Sequence, residues 1–69
     1  MNPWNLTERQ CRVLEVLAEQ GCTKLVARAL NVSPKTVGTH MDRIMPKMGA
    51  RNRTQAVVFF DRWARGAST

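Results

Sequence analysis

The sequence predicts an all-α fold, a four-helix bundle that contains a helix-turn-helix, in one domain spanning 1–69 with its core over about 6–65. Three observations lead there. Apolar residues recur at helical spacing in separate stretches. Thr7, Ser33 and Asn52 stand where helix-capping side chains belong. Between Thr23 and Met48 a short helical pattern, the three-residue turn NVS and a longer helical pattern follow one another.

Residues 1–5 form a lead-in from which Trp4 can fold back over the apolar surface. Thr7 and Gln10 make a capping box, with Leu6 as the staple partner of Cys11. Cys11, Val13, Leu14, Leu17 and Ala18 then give the inward stripe of a first helix of about three turns, ended by Gly21. Thr23 is placed to cap the second helix, whose inward residues are Val26, Ala27 and Leu30. Ala27 is small because two helices cross closely there, and Leu25 faces outward.

Ser33 followed by Pro34 marks the start of the third helix, a hydroxyl at the N-cap and a proline at the first helical position. Val32 plugs the core beneath the turn. At about 100° per residue, Val37, Met41, Ile44, Met45 and Met48 share the inward side. Pro46 cannot donate to the Asp42 carbonyl and crowds it, so a kink or an early end is expected near Met45, giving a helix over about 34–45. Asn52 with Gln55 resembles a second capping box and opens a fourth helix through about Arg65. Its core face is Ala56, Val57, Phe60, Trp63 and Ala64. Val58 and Phe59 are surplus apolar residues, placed either to close over Trp4 or, as the favoured alternative, to make a dimer contact with Arg62. Gly66 to Thr69 reads as a frayed tail.

Charge points to the partner. The chain of 69 residues carries a net +6, with a pI near 10.8. Between Thr23 and Arg53 stand Lys24, Arg28, Lys35, Arg43, Lys47, Arg51 and Arg53 against the single acid Asp42, so the whole net charge falls on one supersecondary unit. A compact basic domain of this kind takes a polyanion, and nucleic acid is the default, here double-stranded DNA through the helix-turn-helix. No segment is long and apolar enough to cross a bilayer, no helix pairs a basic face with a strong apolar one for membrane binding, and the N-terminus lacks the regions of a signal peptide. Cys11 and Cys22 form neither a disulfide framework nor a zinc spacing and suit a reducing, cytoplasmic setting. Cys11 reads as a small buried apolar residue and Cys22 as a spectator.

The outward side of the third helix carries Lys35, Thr39, Asp42, Arg43 and Pro46, with Thr36, His40 and Lys47 on one flank and Gly38 on the other. Such a face can be merely solvated; its place after the turn and the charge around it favour a surface facing DNA. Lys24, Thr36, Arg51 and Arg53 are then expected at phosphates, and Lys35, Thr39, Asp42 and Arg43 at base edges.

Two segments, LTERQCRVLEVLAEQG and TKLVARALNVSPKTVGTHMDRIMPKMGARNRTQAV, resemble the DNA-binding domain of LuxR-type (GerE-type) bacterial transcription regulators. The resemblance runs from Leu6 to about Ala64. Its most specific parts are Leu6, Thr7, Arg9 and Gln10, then VSPKTVGTH, then KMGARNRTQAV. It implies a four-helix domain with the third helix in the major groove and a two-fold dimer through the fourth. It places Lys24, Ser33, Thr36 and Lys47 near the DNA backbone, and Gly38, Thr39 and Asp42 at bases. Against the family pattern, Gly38 replaces a usual basic residue, Asp42 a basic or polar one, Pro46 a basic or polar one, and Leu25 a glutamate.

Those departures motivate an alternative, a protein-interaction module that pairs through Val58, Phe59 and Arg62 with another LuxR-type regulator and blocks its DNA binding. An enzyme is not expected. His40 is the sole histidine and stands on a different helical side from Asp42. No phosphate loop, metal-ligand cluster or nucleophile motif is present, so no catalytic residue, cofactor or metal is nominated. Starting at Met1, the chain reads equally as a small complete protein or as the output domain of a longer regulator.

Overall fold

Four helices form in the computed structural model of the protein, which describes residues 2–66: α1 Glu8–Gln20, α2 Thr23–Leu30, α3 Pro34–Met48 and α4 Arg53–Ala64. α1 is the central element and packs against all three others, while α3 also packs against α2 and α4. The core between them is built from Val13, Leu14, Val26, Val37, Met41, Ile44, Ala56 and Phe60, closed at its margins by Leu6, Val16, Leu17, Ala27 and Met48.

The start of α1 follows the capping box read from the sequence. Thr7 Oγ1 accepts from the Gln10 N–H at 3.1 Å, and Gln10 Oε1 accepts from the Thr7 N–H at 3.0 Å. Gly21 closes the helix at φ 74°, a left-handed conformation that glycine takes without a Cβ clash. The inward stripe is turned from the expected one: Val16 is buried, Ala18 is exposed and Cys11 is half-buried. The reason is that α1 must serve neighbours on both flanks, which brings Val16 inward and swings Ala18 out to solvent.

Cys22, not Thr23, is the N-cap of α2, and no side-chain hydrogen bond closes that cap. The left-handed Gly21 leads straight into extended Cys22, so the helix begins one residue earlier than the Thr23 hydroxyl suggests. At the other end Asn31 adopts φ 59°, and the Val32 N–H reaches back to the Ala27 carbonyl at 2.9 Å. This Schellman-type closure reverses the chain within the turn and seats Val32 against the core.

α3 begins as expected, with Ser33 Oγ accepting from the Thr36 N–H at 3.1 Å and Pro34 in the first turn. It does not end near Met45. The helix runs on through Pro46 to Met48 and closes at Gly49, φ 66°. Interior proline costs a helix on the order of 3 kcal/mol, and the last turn has anchors to offset it. Met48 is buried, the Gly49 and Ala50 N–H groups bond the Pro46 and Met45 carbonyls at 3.3 and 3.0 Å, and the Lys47 ammonium is tied to the N-terminal segment.

Asn52 caps α4 by accepting from the Gln55 N–H at 2.9 Å. The reciprocal arm differs from a capping box: Gln55 Oε1 accepts from the Arg51 N–H at 2.8 Å, one residue further back than the Asn52 N–H. Ala56 and Phe60 are buried and Val57 half-buried, whereas Trp63, expected in the core, is 40% exposed and Ala64 lies in solvent. Phe60 already seals that end of the core, so Trp63 packs at its edge. Its ring sits 5.7 Å from Phe60 and 5.8 Å from Trp4, the latter edge-to-face at 72°.

Trp4 therefore folds back as expected, and finds Trp63 as its ring partner. The lead-in is shaped by Asn2, whose Oδ1 accepts from the Leu6 and Trp4 N–H groups at 2.7 and 3.2 Å and whose Nδ2 donates to the Leu6 carbonyl at 3.1 Å. Of the tail expected over Gly66 to Thr69, residues 67–69 lie outside the described residues, as does Met1 of the lead-in.

Candidate nucleic-acid interface

Ala27, 2% exposed, lets α2 lie close under α3, and the turn at Asn31 sets the outward side of α3 away from the core. Val37, Met41, Ile44 and Met48 point inward, so the remaining positions have one direction left. Lys35, Thr39, Asp42, Arg43 and Pro46 are all exposed, and Thr36, Gly38 and His40 are half-buried at the margins. A single helix of about 10–12 Å diameter matches a major groove about 12 Å wide.

The electrostatics of this face are uncompensated. Among the described residues the two ion pairs are Arg12–Glu15 on α1 and Asp61–Arg65 at the end of α4. Lys24, Arg28, Lys35, Arg43, Arg51 and Arg53 are exposed and enter neither. The positive charge thus stays available on the helix-turn-helix, while the acids sit mostly on helices at its margins.

Each expected backbone-contact residue has a definite place. Ser33 and Thr36 share the start of α3, their hydroxyl oxygens 2.9 Å apart, with the Ser33 oxygen already engaged by the Thr36 N–H. Lys24 stands in the first turn of α2 and Arg53 in the first turn of α4. Both cations lie close enough to Cys22 for their charges to act on its sulfur. Arg51 precedes the α4 cap and its main-chain N–H is taken by Gln55, leaving its guanidinium exposed. Lys47 differs from the rest. Its Nζ donates to the Asn5 carbonyl at 3.3 Å and to Gln10 Oε1 at 3.1 Å, so the ammonium is shared with the domain's own N-terminal segment. No local signal could have given that contact, because its partners lie 42 and 37 residues away in the chain.

On the outward side, Thr39 Oγ1 donates to the Lys35 carbonyl at 3.2 Å and keeps its oxygen lone pairs free. Lys35, Asp42 and Arg43 are exposed with no ion pair among the described residues. Gly38 leaves the helix surface bare beside Asp42: a Cβ built there meets nothing within 4 Å. Of the residues expected at a dimer contact, Val58 and Arg62 are exposed, while Phe59 is half-buried and leans on the core.

Cys22 is exposed at the start of α2. Although its cap geometry falls short of a hydrogen bond, the Leu25 N–H foremost, then that of Lys24, draws its thiol below the ordinary pKa, helped by the Lys24 and Arg53 charges. Cys11 goes the other way, its thiol pushed up by burial and then by the Glu15 carboxylate. No cluster of three or more His, Cys, Asp or Glu able to hold a metal occurs among the described residues, and no helix there is long and apolar enough to cross a membrane.

The profile of the family described as bacterial regulatory proteins, luxR family, matches residues 4–60. The chain is 43% identical over 53 residues to the spore germination protein GerE of Bacillus subtilis (strain 168), which covers 77% of this chain and 72% of GerE. It is 42% identical over 53 residues to the transcriptional regulatory protein DegU of Brevibacillus brevis, covering 77% of this chain and 22% of DegU. It is 37% identical over 54 residues to the response regulator protein VraR of Staphylococcus aureus (strain NCTC 8325 / PS 47), covering 78% of this chain and 26% of VraR. The chain thus spans most of GerE but only about a quarter or less of the two longer regulators. With four helices, a helix-turn-helix at α2–α3 and this match over most of its length, the chain belongs to the luxR family of bacterial regulatory proteins.

Proposed function

We propose that the chain regulates transcription by binding double-stranded DNA, with α3 in the major groove and α4 pairing two copies over a two-fold site. The observation that carries this reading is the set of exposed cations on the α2–α3 unit and its flank that enter no ion pair among the described residues, set beside an exposed polar side of α3. Lys24, Ser33, Thr36, Lys47, Arg51 and Arg53 position the helix on phosphates, and Lys35, Gly38, Thr39, Asp42 and Arg43 face the bases. Membership of a family of regulatory proteins supports the same role.

Selection of bound duplexes from a randomised pool at near-physiological salt tests it. A two-fold symmetric enriched site is the expected result. An unenriched pool would leave only the sequence-independent phosphate attraction and turn attention to protein partners. In the same assay Lys24→Ala weakens binding to all sequences and reduces the salt slope by about 0.9 without changing the preferred site.

Val58, 38% exposed on α4 with Arg62 beside it in solvent, supports the pairing of α4 helices. Val58→Asp is expected to shift the protein towards monomer in sedimentation while its circular dichroism stays helical. The same exposed residues favour a second reading, in which this α4 pairs with another LuxR-type regulator and removes it from DNA. Titrating the protein into such a regulator–DNA complex separates the two; a complex that survives the titration counts against the second.

A further inference from the structure

Gly38, Asp42 and Pro46 follow one another on α3 at i, i+4 and i+8, and so form a strip along one side of the helix. Each is peculiar for its place. Glycine weakens a helix interior relative to alanine, yet the space around Gly38 is open to a Cβ and its φ is not left-handed. Nothing inside the domain requires it. Asp42 is the single acid between Thr23 and Arg53, exposed and without an ion pair among the described residues. Its neighbours one turn away are Gly38, Thr39, Met45 and Pro46, none of which is basic. Pro46 carries no N–H, so the Asp42 carbonyl also lacks its usual helical donor. The strip therefore presents an acceptor, the Asp42 carboxylate, with a bare stretch of backbone at Gly38 one turn before it.

We propose that Asp42 is a specificity-determining residue that selects cytosine at one position of each half-site, with Gly38 supplying the close approach this requires; the inference rests on the DNA-binding reading above. A carboxylate over phosphates is repelled, so on this helix it is tolerated only over the groove floor. There the available donors are the amino groups of cytosine and adenine. Adenine N6 stands beside the N7 acceptor, and guanine and thymine show acceptors at O6, N7 and O4, all of which repel a carboxylate. The cytosine amino group is flanked on its own base by the C5–H edge, where adenine has its N7 acceptor. Aspartate has a short reach, so the helix backbone must come near the bases at this turn. A side chain at position 38 would hold it off. Lys35 and Arg43, exposed on the same outward side, are suited to guanines at neighbouring positions.

The experiment is duplex selection run in parallel with the wild-type protein, Asp42→Asn and Asp42→Ala, each checked by circular dichroism; position 42 is exposed and the variants are expected to fold. The wild type enriches a cytosine at one fixed place in each half-site, with a preference of about fivefold or more. Asp42→Asn moves that preference to adenine, whose N6 and N7 an amide can bridge, and Asp42→Ala flattens it, while the other positions keep their bases. A wild-type site that is enriched but identical in all three proteins overturns the assignment of Asp42 alone. A wild-type pool with no enrichment overturns the DNA-reading function itself, and this inference with it.

Discussion

Lys47 at the end of α3 and Gln10 in the first turn of α1 meet at 3.1 Å, although 37 residues separate them. Gln10 Oε1 at the same time accepts from the Thr7 N–H, so one buried amide oxygen links a helix cap to the last turn of the candidate reading helix. Lys47→Met keeps the aliphatic stem and removes the ammonium. It is expected to cost about 1 kcal/mol, the scale of a partly exposed charged hydrogen bond, read as a fall in Tm of roughly 4–8 °C. Because the ammonium is already engaged, its loss should flatten the salt dependence of DNA binding less than Lys24→Ala does. Equal effects on the salt slope would show that the Gln10 contact opens when DNA is bound.

Ser33 has two assigned tasks, helix cap and phosphate contact, and two substitutions separate them. Ser33→Ala removes the oxygen that accepts from the Thr36 N–H and should lower stability by about 1 kcal/mol. Ser33→Asp restores a capping oxygen and suits the positive end of the helix dipole, but sets a negative charge where phosphate is expected. Thermal melts should therefore show Ser33→Asp near wild type, while binding titrations show it weaker than Ser33→Ala. If Ser33→Asp bound DNA as well as wild type, the start of α3 would not lie at the phosphate backbone.

Gly38→Ala offers the opposite dissociation of stability from binding. The added Cβ meets nothing within 4 Å and a helix interior prefers alanine, so the free protein should gain about 0.5–1 kcal/mol. If the helix needs its bare backbone against the groove, DNA affinity falls as the melting temperature rises. A larger side chain, as in Gly38→Leu, should deepen the loss of affinity with little further change in the melt.

The two thiols should differ in reactivity towards a disulfide reagent. Cys22 is exposed and its pKa is lowered by the N–H groups that open α2, so more of it is thiolate at neutral pH. Cys11 is half-buried, its thiol pKa raised by burial and by Glu15, and Asn2 Nδ2 lies 3.4 Å from its sulfur. Cys22 is expected to react first, with its rate rising at a lower pH than Cys11. The linkage signs are opposite. The Cys22 contribution to stability is present above the ordinary thiol pKa and lost as pH falls through its lowered value. The Cys11 contribution is present below the ordinary value and lost as pH rises through its raised one. Equal modification rates in Cys11→Ser and Cys22→Ser would contradict the asymmetry.

What could be read along the chain was whatever depends on neighbours within about a turn. The Thr7, Ser33 and Asn52 caps, the stop at Gly21, the inward stripe of α3 and the charge gathered between Thr23 and Arg53 all follow from local hydrogen-bond needs and helical periodicity, and they determined the four helices and the outward side of α3. The places where reading along the chain fell short are those where distant groups compete with local rules. Pro46 predicts an early end, but burial of Met48 and the ties from Lys47 to Asn5 and Gln10 carry the helix onward. Trp63 has core spacing, yet Phe60 fills that end and leaves Trp63 to pair with Trp4 at the surface. Ala18 yields to Val16 because α1 is packed on several sides. Periodicity and capping act over a few residues and are written in the sequence order. Which side chain wins a crowded volume, and which cation stays free, was decided only when segments tens of residues apart shared the same space.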